Sequence, residues 1–377
     1  MTVGTAFRCL EVRIDEGRFM MNAFQPLARN MWSRFALLLG AIIFSAASVQ
    51  AEPIRGAGST FAAPIIQLWS RDYEAMRTDG GDFTSPDWRV DYEPVGSLAG
   101  VMRLGQIETD FAATDAPLPA EELKTRNLLQ FPVVMGGIVV VANVDGIGAG
   151  ALRLSGPVIA DIYLGKVTKW SDPSIKALNP DVALPDTTIE VLHREDGSGS
   201  TLAFTGFLSA SSPEWAQKPG AGTLIKWPLG KGEKGTGGLA NLTAMTKNSI
   251  SYLEYGQVVR LGLPFVSLQN RSGTFIRPSP EAFQAGLETA TWDGTTGSSA
   301  NANEAAGETA YPMTVVTYAV VPKDRGEGRI NRVLDLFRLA FSRGGDEASA
   351  LGYVPVSPAL AGKIEAYWTA NLGFANN

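Results

Sequence analysis

The sequence predicts an α/β protein. Two observations carry that expectation. Short β-rich runs alternate with amphipathic stretches of helical period, and 45% of the 377 residues are hydrophobic, the level of a globular chain. Beyond residue 52 there is also no repeat at a fixed short period, so a solenoid or propeller is not expected.

The elements follow in order. Phe61, Ile65, Trp69 and Tyr73 recur every fourth residue, which predicts a helix with one aromatic face. Val90-Asp-Tyr-Glu-Pro-Val95 reads as a strand, residues 98–104 as a short helix and residues 110–114 as another strand. The run Phe131-Pro-Val-Val-Met-Gly-Gly-Ile-Val-Val-Val-Ala142 is β-rich but interrupted at Gly136-Gly137. It is expected to form buried strands passing between lobes, and is too short and punctuated to span a membrane. Residues 189–192 read as a strand leading into a polar turn, and 202–208 as a helix. Residues 230–238, glycine-rich and polar, are expected to be a surface loop, and residues 295–310 another exposed segment. Residues 314–321 form a late strand. Residues 330–342 form a helix with Val333, Leu334, Phe337 and Phe341 on one side, and a last helix runs near 359–372.

Composition excludes several functions. The chain has 32 Lys+Arg against 38 Asp+Glu, a net charge of −6, with one histidine and one cysteine. Zinc sites need clustered Cys, His or carboxylate ligands and disulfides need two cysteines, so neither is expected, and no metal or other cofactor is assigned. A catalytic triad could draw only on His193. An acidic chain also argues against nucleic acid as partner. If it binds an anion, local geometry must do the work.

The N-terminus reads as a cleavable export signal. Arg29 and Arg34 precede the apolar run 35–44, small residues follow at 45–48, and Val49-Gln50-Ala51 forms a small-x-small box, predicting a mature start at Glu52. No cysteine follows the apolar run, so a lipid-modified cysteine is not expected. Glu11, Asp15 and Glu16 suit a signal poorly, which points to translation starting at Met20, Met21 or Met31. Removing residues 1–51 takes away five arginines, three acidic residues and Cys9. The remaining 326 residues carry 27 basic against 35 acidic groups, a net charge of −8.

Three places repeat a strand, a small hydroxyl-bearing turn and a helix: Gly56-Ala-Gly-Ser-Thr-Phe61, Val95-Gly-Ser-Leu98 and Arg194-Glu-Asp-Gly-Ser-Gly-Ser-Thr201. A helix start exposes unpaired N–H groups and the positive end of the peptide dipoles. The hydroxyls of Thr60, Ser97, Ser198 and Ser200 add donors, and glycines admit an oxyanion to the backbone. Any one turn alone reads as an N-cap. Three together, one with a guanidinium fork at Arg194, point to an oxyanion site. Phe61 stands where a dinucleotide fingerprint needs its third glycine, and Thr236 where a P-loop needs its lysine. Gly197-Ser-Gly-Ser is not a nucleophile elbow. Neither nucleotide binding nor serine hydrolysis is therefore favoured.

Several ordered motifs resemble the periplasmic phosphate-binding proteins of phosphate-specific ABC importers. They are Gly56-Ala-Gly-Ser-Thr-Phe61, Thr114-Asp-Ala-Pro-Leu118, Gln130-Phe-Pro-Val-Val with Gly136-Gly137, and Asp161-Ile-Tyr-Leu-Gly-Lys166 with Lys169-Trp170. Asp196-Gly-Ser-Gly199, Lys226-Trp-Pro228 and Ser251-Tyr-Leu-Glu-Tyr255 complete the series, which runs from about residue 55 to the last helix. The resemblance implies a two-lobed periplasmic-binding-protein-like fold of type II, with a hinge of two to three crossing strands. The expected lobes are 52–143 with 318–377, and 144–317. It implies phosphate contacts from Thr60, Phe61, Ser97, Asp115, Arg194, Ser198, Gly199 and Ser200. It also implies a monomeric, non-enzymatic periplasmic protein that delivers phosphate to transmembrane permease subunits, with ATPase subunits elsewhere in the complex.

Asp115 gives that reading its selectivity. Phosphate near neutral pH still has a proton to donate, whereas sulfate has none, so Asp115 would face a bare lone pair and a like charge on sulfate. Asp196, two residues beyond Arg194, is the natural partner to orient its guanidinium. Ser200 stands where the family usually has threonine, His193 replaces a second basic residue, and residues 79–88 look like an inserted surface loop. The rivals are a sulfate or molybdate carrier on the same scaffold and a secreted phosphatase using Ser198 or Ser200.

Overall fold

Twelve strands follow one another among the described residues: β1 (Ile54–Gly58), β2 (Val90–Glu93), β3 (Phe111–Thr114), β4 (Leu128–Asn143), β5 (Arg153–Leu154) and β6 (Glu190–Arg194), then β7 (Lys231–Glu233), β8 (Ser249–Glu254), β9 (Ser267–Gln269), β10 (Phe275–Ile276), β11 (Thr314–Pro322) and β12 (Val354–Pro355). A computed structural model describes residues 53–78, 89–287, 292–297 and 307–372. The expected export signal with Cys9, and the expected insertion at 79–88, lie outside the described residues.

A nine-stranded sheet runs in the order β2-β1-β3-β11-β4-β8-β6-β7, with β12 added on β4. Parallel pairing joins β1 to β2 and β3 at one end, and β8, β6 and β7 at the other. Helices follow each group: Ala63–Thr78 and Ser97–Arg103 in the first, Gly199–Ser211 and Gly235–Met245 in the second. The alternation read from the sequence is therefore the mixed α/β arrangement. No described helix is long and apolar enough to cross a membrane.

Strand β4 belongs to both halves. Its residues up to Gly137 pair with β11, and those from Ile138 to Asn143 pair with β8. All of it is buried except its last residue, which accounts for its near-continuous apolar sequence. The expectation that Gly136-Gly137 would interrupt this run is corrected: one strand passes straight through both glycines. They are required by packing. A Cβ on Gly137 would sit 2.1 Å from Phe283, and one on Gly136 would sit 3.0 Å from Phe61. Phe283 cannot retreat, because its ring is wedged edge-on against Tyr255 and Tyr311 at 5.1 and 5.4 Å between centroids.

Strand β11 crosses the middle of the sheet antiparallel to β3 and β4. Its register against β4 shifts between Thr317 and Tyr318, where the facing residue is Pro132. Proline has no N–H for the ladder, so a bulge is the form in which a central strand tolerates it. Around this centre Phe337 meets Phe111 and Phe131 edge-on at 5.4 and 5.6 Å, and Phe131 meets Trp368 at 5.0 Å. The aromatic face expected at Phe61, Ile65, Trp69 and Tyr73 is buried as predicted.

The segment 230–238 is not the surface loop its composition suggested. Lys231–Glu233 pairs with Leu192–Arg194 as an edge strand, and the helix Gly235–Met245 starts two residues later. The glycine signal failed because an edge strand beside β6 needs backbone more than side chains, and Gly230 lies close to the Val191 carbonyl. At the other expected exposed segment, residues 295, 296 and 307–309 are exposed but Gly297 and Ala310 are buried, and residues 298–306 lie outside the described residues.

Substituting Gly137→Ala should lower the urea midpoint, by about 1–3 kcal/mol of stability, because the new methyl overlaps a ring that is held on both sides. An unchanged midpoint would show that Phe283 can move.

Candidate functional site

Five of the parallel strands on this sheet, β1, β2, β3, β6 and β7, each deliver a polar turn at the C-terminal end, the place where open α/β sheets hold ligands. Gly58 leads into Ser59, Thr60 and Phe61; β2 leads to Gly96 and Ser97; β3 ends beside Asp115. From the other half, Arg194 closes β6 and leads to Asp196 and the helix start at Ser198, and β7 leads to Gly235 and Thr236. These turns meet. The Leu98 amide donates to the Gly197 carbonyl at 3.3 Å, and the Thr60 and Thr236 hydroxyls are 2.9 Å apart.

Asp115 is the centre of one wall, with only 8% of its surface exposed. Ser59 Oγ donates to both carboxylate oxygens at 2.8 Å, Thr317 Oγ1 to one at 2.7 Å and Ser97 Oγ to the other at 3.2 Å. Thr317 stands at the register shift between β11 and β4, beside the Tyr318 that faces Pro132, and its hydroxyl reaches Asp115. Burial raises the Asp115 pKa above the ordinary carboxylate value, while the hydroxyls of Thr317, Ser59 and Ser97 and the charge of Arg194 oppose that rise.

Arg194 is the centre of the opposing wall and is 2% exposed. Its Nε and Nη2 donate to Asp196 Oδ1 and Oδ2 at 2.5 Å each, the bidentate pair anticipated from the two-residue spacing. Burial pushes the Asp196 carboxyl up, but the hydrogen bond and charge of Arg194 outweigh it and leave the pKa below the usual value. The Arg194 carbonyl is held as well. It accepts from Trp227 Nε1 at 3.0 Å and lies 3.1 Å from His193 Nδ1, with the His193 and Trp227 rings stacked at 4.7 Å. Burial lowers the His193 pKa. The lone histidine is thus part of the support behind Arg194.

The turn between these walls is shaped for close approach. A Cβ on Gly199 would lie 2.4 Å from the Asp115 Cβ and 2.8 Å from Ser97 Oγ, so only glycine brings this helix start against Asp115. Ser198 caps that helix, its Oγ accepting from the Thr201 amide at 3.3 Å, and Ser200 is buried in the first turn. Phe61 is fixed by Tyr353, whose hydroxyl donates to its carbonyl at 2.7 Å and whose ring meets it edge-on at 5.4 Å. The structure therefore brings Thr60, Phe61, Ser97, Asp115, Arg194, Ser198, Gly199 and Ser200 to one locus.

Three hydroxyls at that locus escaped the sequence reading: Ser59, Thr317 and Thr236. Ser59 was inside a quoted motif, one residue before the hydroxyl singled out. Thr317 interrupts the apolar run Val315-Val-Thr-Tyr-Ala-Val320 with a polar side chain, a signal that could have been used. Thr236 was set aside with the supposed loop. Chemically, the locus combines one ionisable acceptor with hydroxyl and helix-start donors, and its single arginine is already paired. It is built for a small oxyanion that also carries a proton. Among the described residues no cluster of His, Cys, Asp and Glu could hold a metal ion.

Comparison with known proteins agrees with that chemistry. Residues 45–337 match the family model described as a PBP superfamily domain. The chain is 40% identical over 336 residues to the phosphate-binding protein PstS of Pasteurella multocida, covering 88% of this chain and 95% of that one. It is 38% identical over 327 residues to the PstS of Xylella fastidiosa strain Temecula1, covering 86% and 87%. Among solved structures, the phosphate-binding protein of Stenotrophomonas maltophilia superposes with a TM-score of 0.58 at 18% identity, covering 84% of this chain and 94% of that one. That likeness shows the shared fold.

Replacing Thr317 by valine keeps the strand shape and removes one donor to Asp115. The variant should lose about 1–3 kcal/mol near neutral pH. Without this donor the already raised Asp115 pKa rises further, so the loss should shrink as pH falls and the carboxylate takes a proton. Denaturant unfolding at several pH values checks both. A loss independent of pH would detach Thr317 from the Asp115 charge.

Proposed function

The chain belongs to the family of phosphate-binding proteins within the PBP superfamily, and on that premise we propose that it binds one inorganic phosphate in the periplasm for an ABC importer. It is a binding protein and makes or breaks no bond in its cargo. The observation that carries the reading is the buried Asp115 carboxylate, held by three hydroxyls in front of clustered helix starts. A protonated oxyanion satisfies that acceptor; an oxyanion without a proton does not.

In this reading the Thr60 hydroxyl and Phe61 amide grip the ligand from one helix start, and Ser97 from a second. Arg194, Ser198, Gly199 and Ser200 grip it from the opposite wall. Arg194 is positioned for this by Asp196, with its Nη1 left outside that pair. The proposed lobes are 52–143 with 318–377, and 144–317, closing about β4 and β11. Closure about these strands is supported by the change of partner along β4, which pairs with β11 up to Gly137 and with β8 from Ile138, six residues before the proposed bound. The leader at 1–51 would export the chain without a lipid anchor. The loaded, monomeric protein would then dock on permease subunits, with ATP hydrolysed by their partners. Leu98 and Met102, exposed in the helix that Ser97 opens, and Leu224, exposed beside the Thr223 carbonyl that accepts from the Ser198 amide, suit that docking.

Titration calorimetry tests the reading. Phosphate should bind one-to-one, and Asp115→Asn should cut the preference for phosphate over sulfate by about tenfold or more. A properly folded wild-type protein that gives no binding heat with phosphate would refute it.

A further inference from the structure

Thr236 joins the two walls through Thr60. It is 4% exposed and opens the helix Gly235–Met245, whose N-cap, Lys234, makes no capping hydrogen bond. The cap comes instead from the opposite wall: the Thr236 amide donates to Thr60 Oγ1 at 3.2 Å. The Thr236 hydroxyl lies 2.9 Å from the same Thr60 oxygen and accepts from Arg194 Nη1 at 3.5 Å. The neighbouring Gly235 amide donates to Asp196 Oδ1 at 3.2 Å, which ties this helix start to the Arg194 pair.

These contacts are compatible with one direction that serves the ligand. A hydroxyl has one proton and two acceptor positions. With Arg194 Nη1 donating to the Thr236 oxygen, the Thr236 proton is free to point at Thr60. In that direction Thr60 Oγ1 accepts twice, from the Thr236 amide and the Thr236 hydroxyl, and its own proton is left available to a ligand. We propose that Thr236 is a positioning residue of the phosphate site, latching the closed walls together and turning the Thr60 proton towards the bound oxyanion. The inference rests on the phosphate reading above.

The latch exists only while the walls are in contact, so its loss should speed release and leave capture unchanged. Discrimination against sulfate should also be unchanged, because Asp115 and its three hydroxyl partners are not touched. Thr236→Val keeps the size, the β-branch and the backbone donor while removing the hydroxyl; Thr236→Ser restores it.

The test is stopped-flow binding of inorganic phosphate to the full chain, with a sulfate competition run alongside. Thr236→Val should release phosphate about tenfold faster at an unchanged association rate, and Thr236→Ser should return close to wild type. A wild-type release rate for Thr236→Val would overturn the proposal, as would a Thr236→Ser variant as impaired as the valine. Wild type that binds no phosphate would instead remove the ligand reading on which it rests, so the two failures are told apart.

Discussion

The hydrogen bonding of Asp115 is the interaction on which the rest of the site depends. A carboxylate removed from water must be paired or neutralised, and no arginine or lysine is bonded to this one. Three hydroxyls hold it instead, from the first turn, the second helix start and the central strand β11. The nearby guanidinium is already engaged with Asp196, so Asp115, Arg194 and Asp196 together leave the site with more negative than positive charge. Affinity for an anion must then come from oriented dipoles, and in the proposed reading Asp115 turns the same scarcity of cations into selectivity. Additional basic residues would strengthen the attraction to every oxyanion alike.

The fold supplies the donors from separate parts of the chain. Serving one ligand from several helix starts requires parallel strands ending towards a shared locus, and strands that continue from one half of the sheet into the other. Strand β4 meets the second need because it is buried almost throughout and can pass through two glycines under Phe61 and Phe283. Strand β11 adds chemistry to architecture: its register shift against β4 falls between Tyr318, which faces Pro132, and Thr317, the residue that bonds Asp115. Behind the other wall, His193 and Trp227 do for Arg194 what Tyr353 does for Phe61, fixing the backbone of a residue that the proposed reading assigns to the ligand.

Much of this was legible in the sequence, for physical reasons. Hydroxyl-bearing turns before helices are local signals, so the places of Thr60, Ser97, Arg194 and Ser198 could be read from short motifs, and the Arg194–Asp196 pair from a two-residue spacing; Asp115 came from the family resemblance alone. The helix faces were readable because burial imposes a period on them. What escaped was non-local. Thr317 acquires its role only when a strand about 200 residues further along lies beside β3, and no local pattern encodes that neighbour. Thr236 was lost because glycines that serve an edge strand and a helix start look, in one dimension, like those of a loop. The glycines in β4 misled for the related reason that a packing constraint from Phe283 was read as a break in the strand.

The account stands most directly on competition between phosphate and sulfate for the wild-type protein at fixed neutral pH. If Asp115 is the discriminating acceptor, a roughly hundredfold excess of sulfate should leave most of the phosphate bound, the scale expected when a buried charged acceptor faces an unprotonated oxygen. Sulfate that displaces half of the phosphate at equal concentration would contradict it.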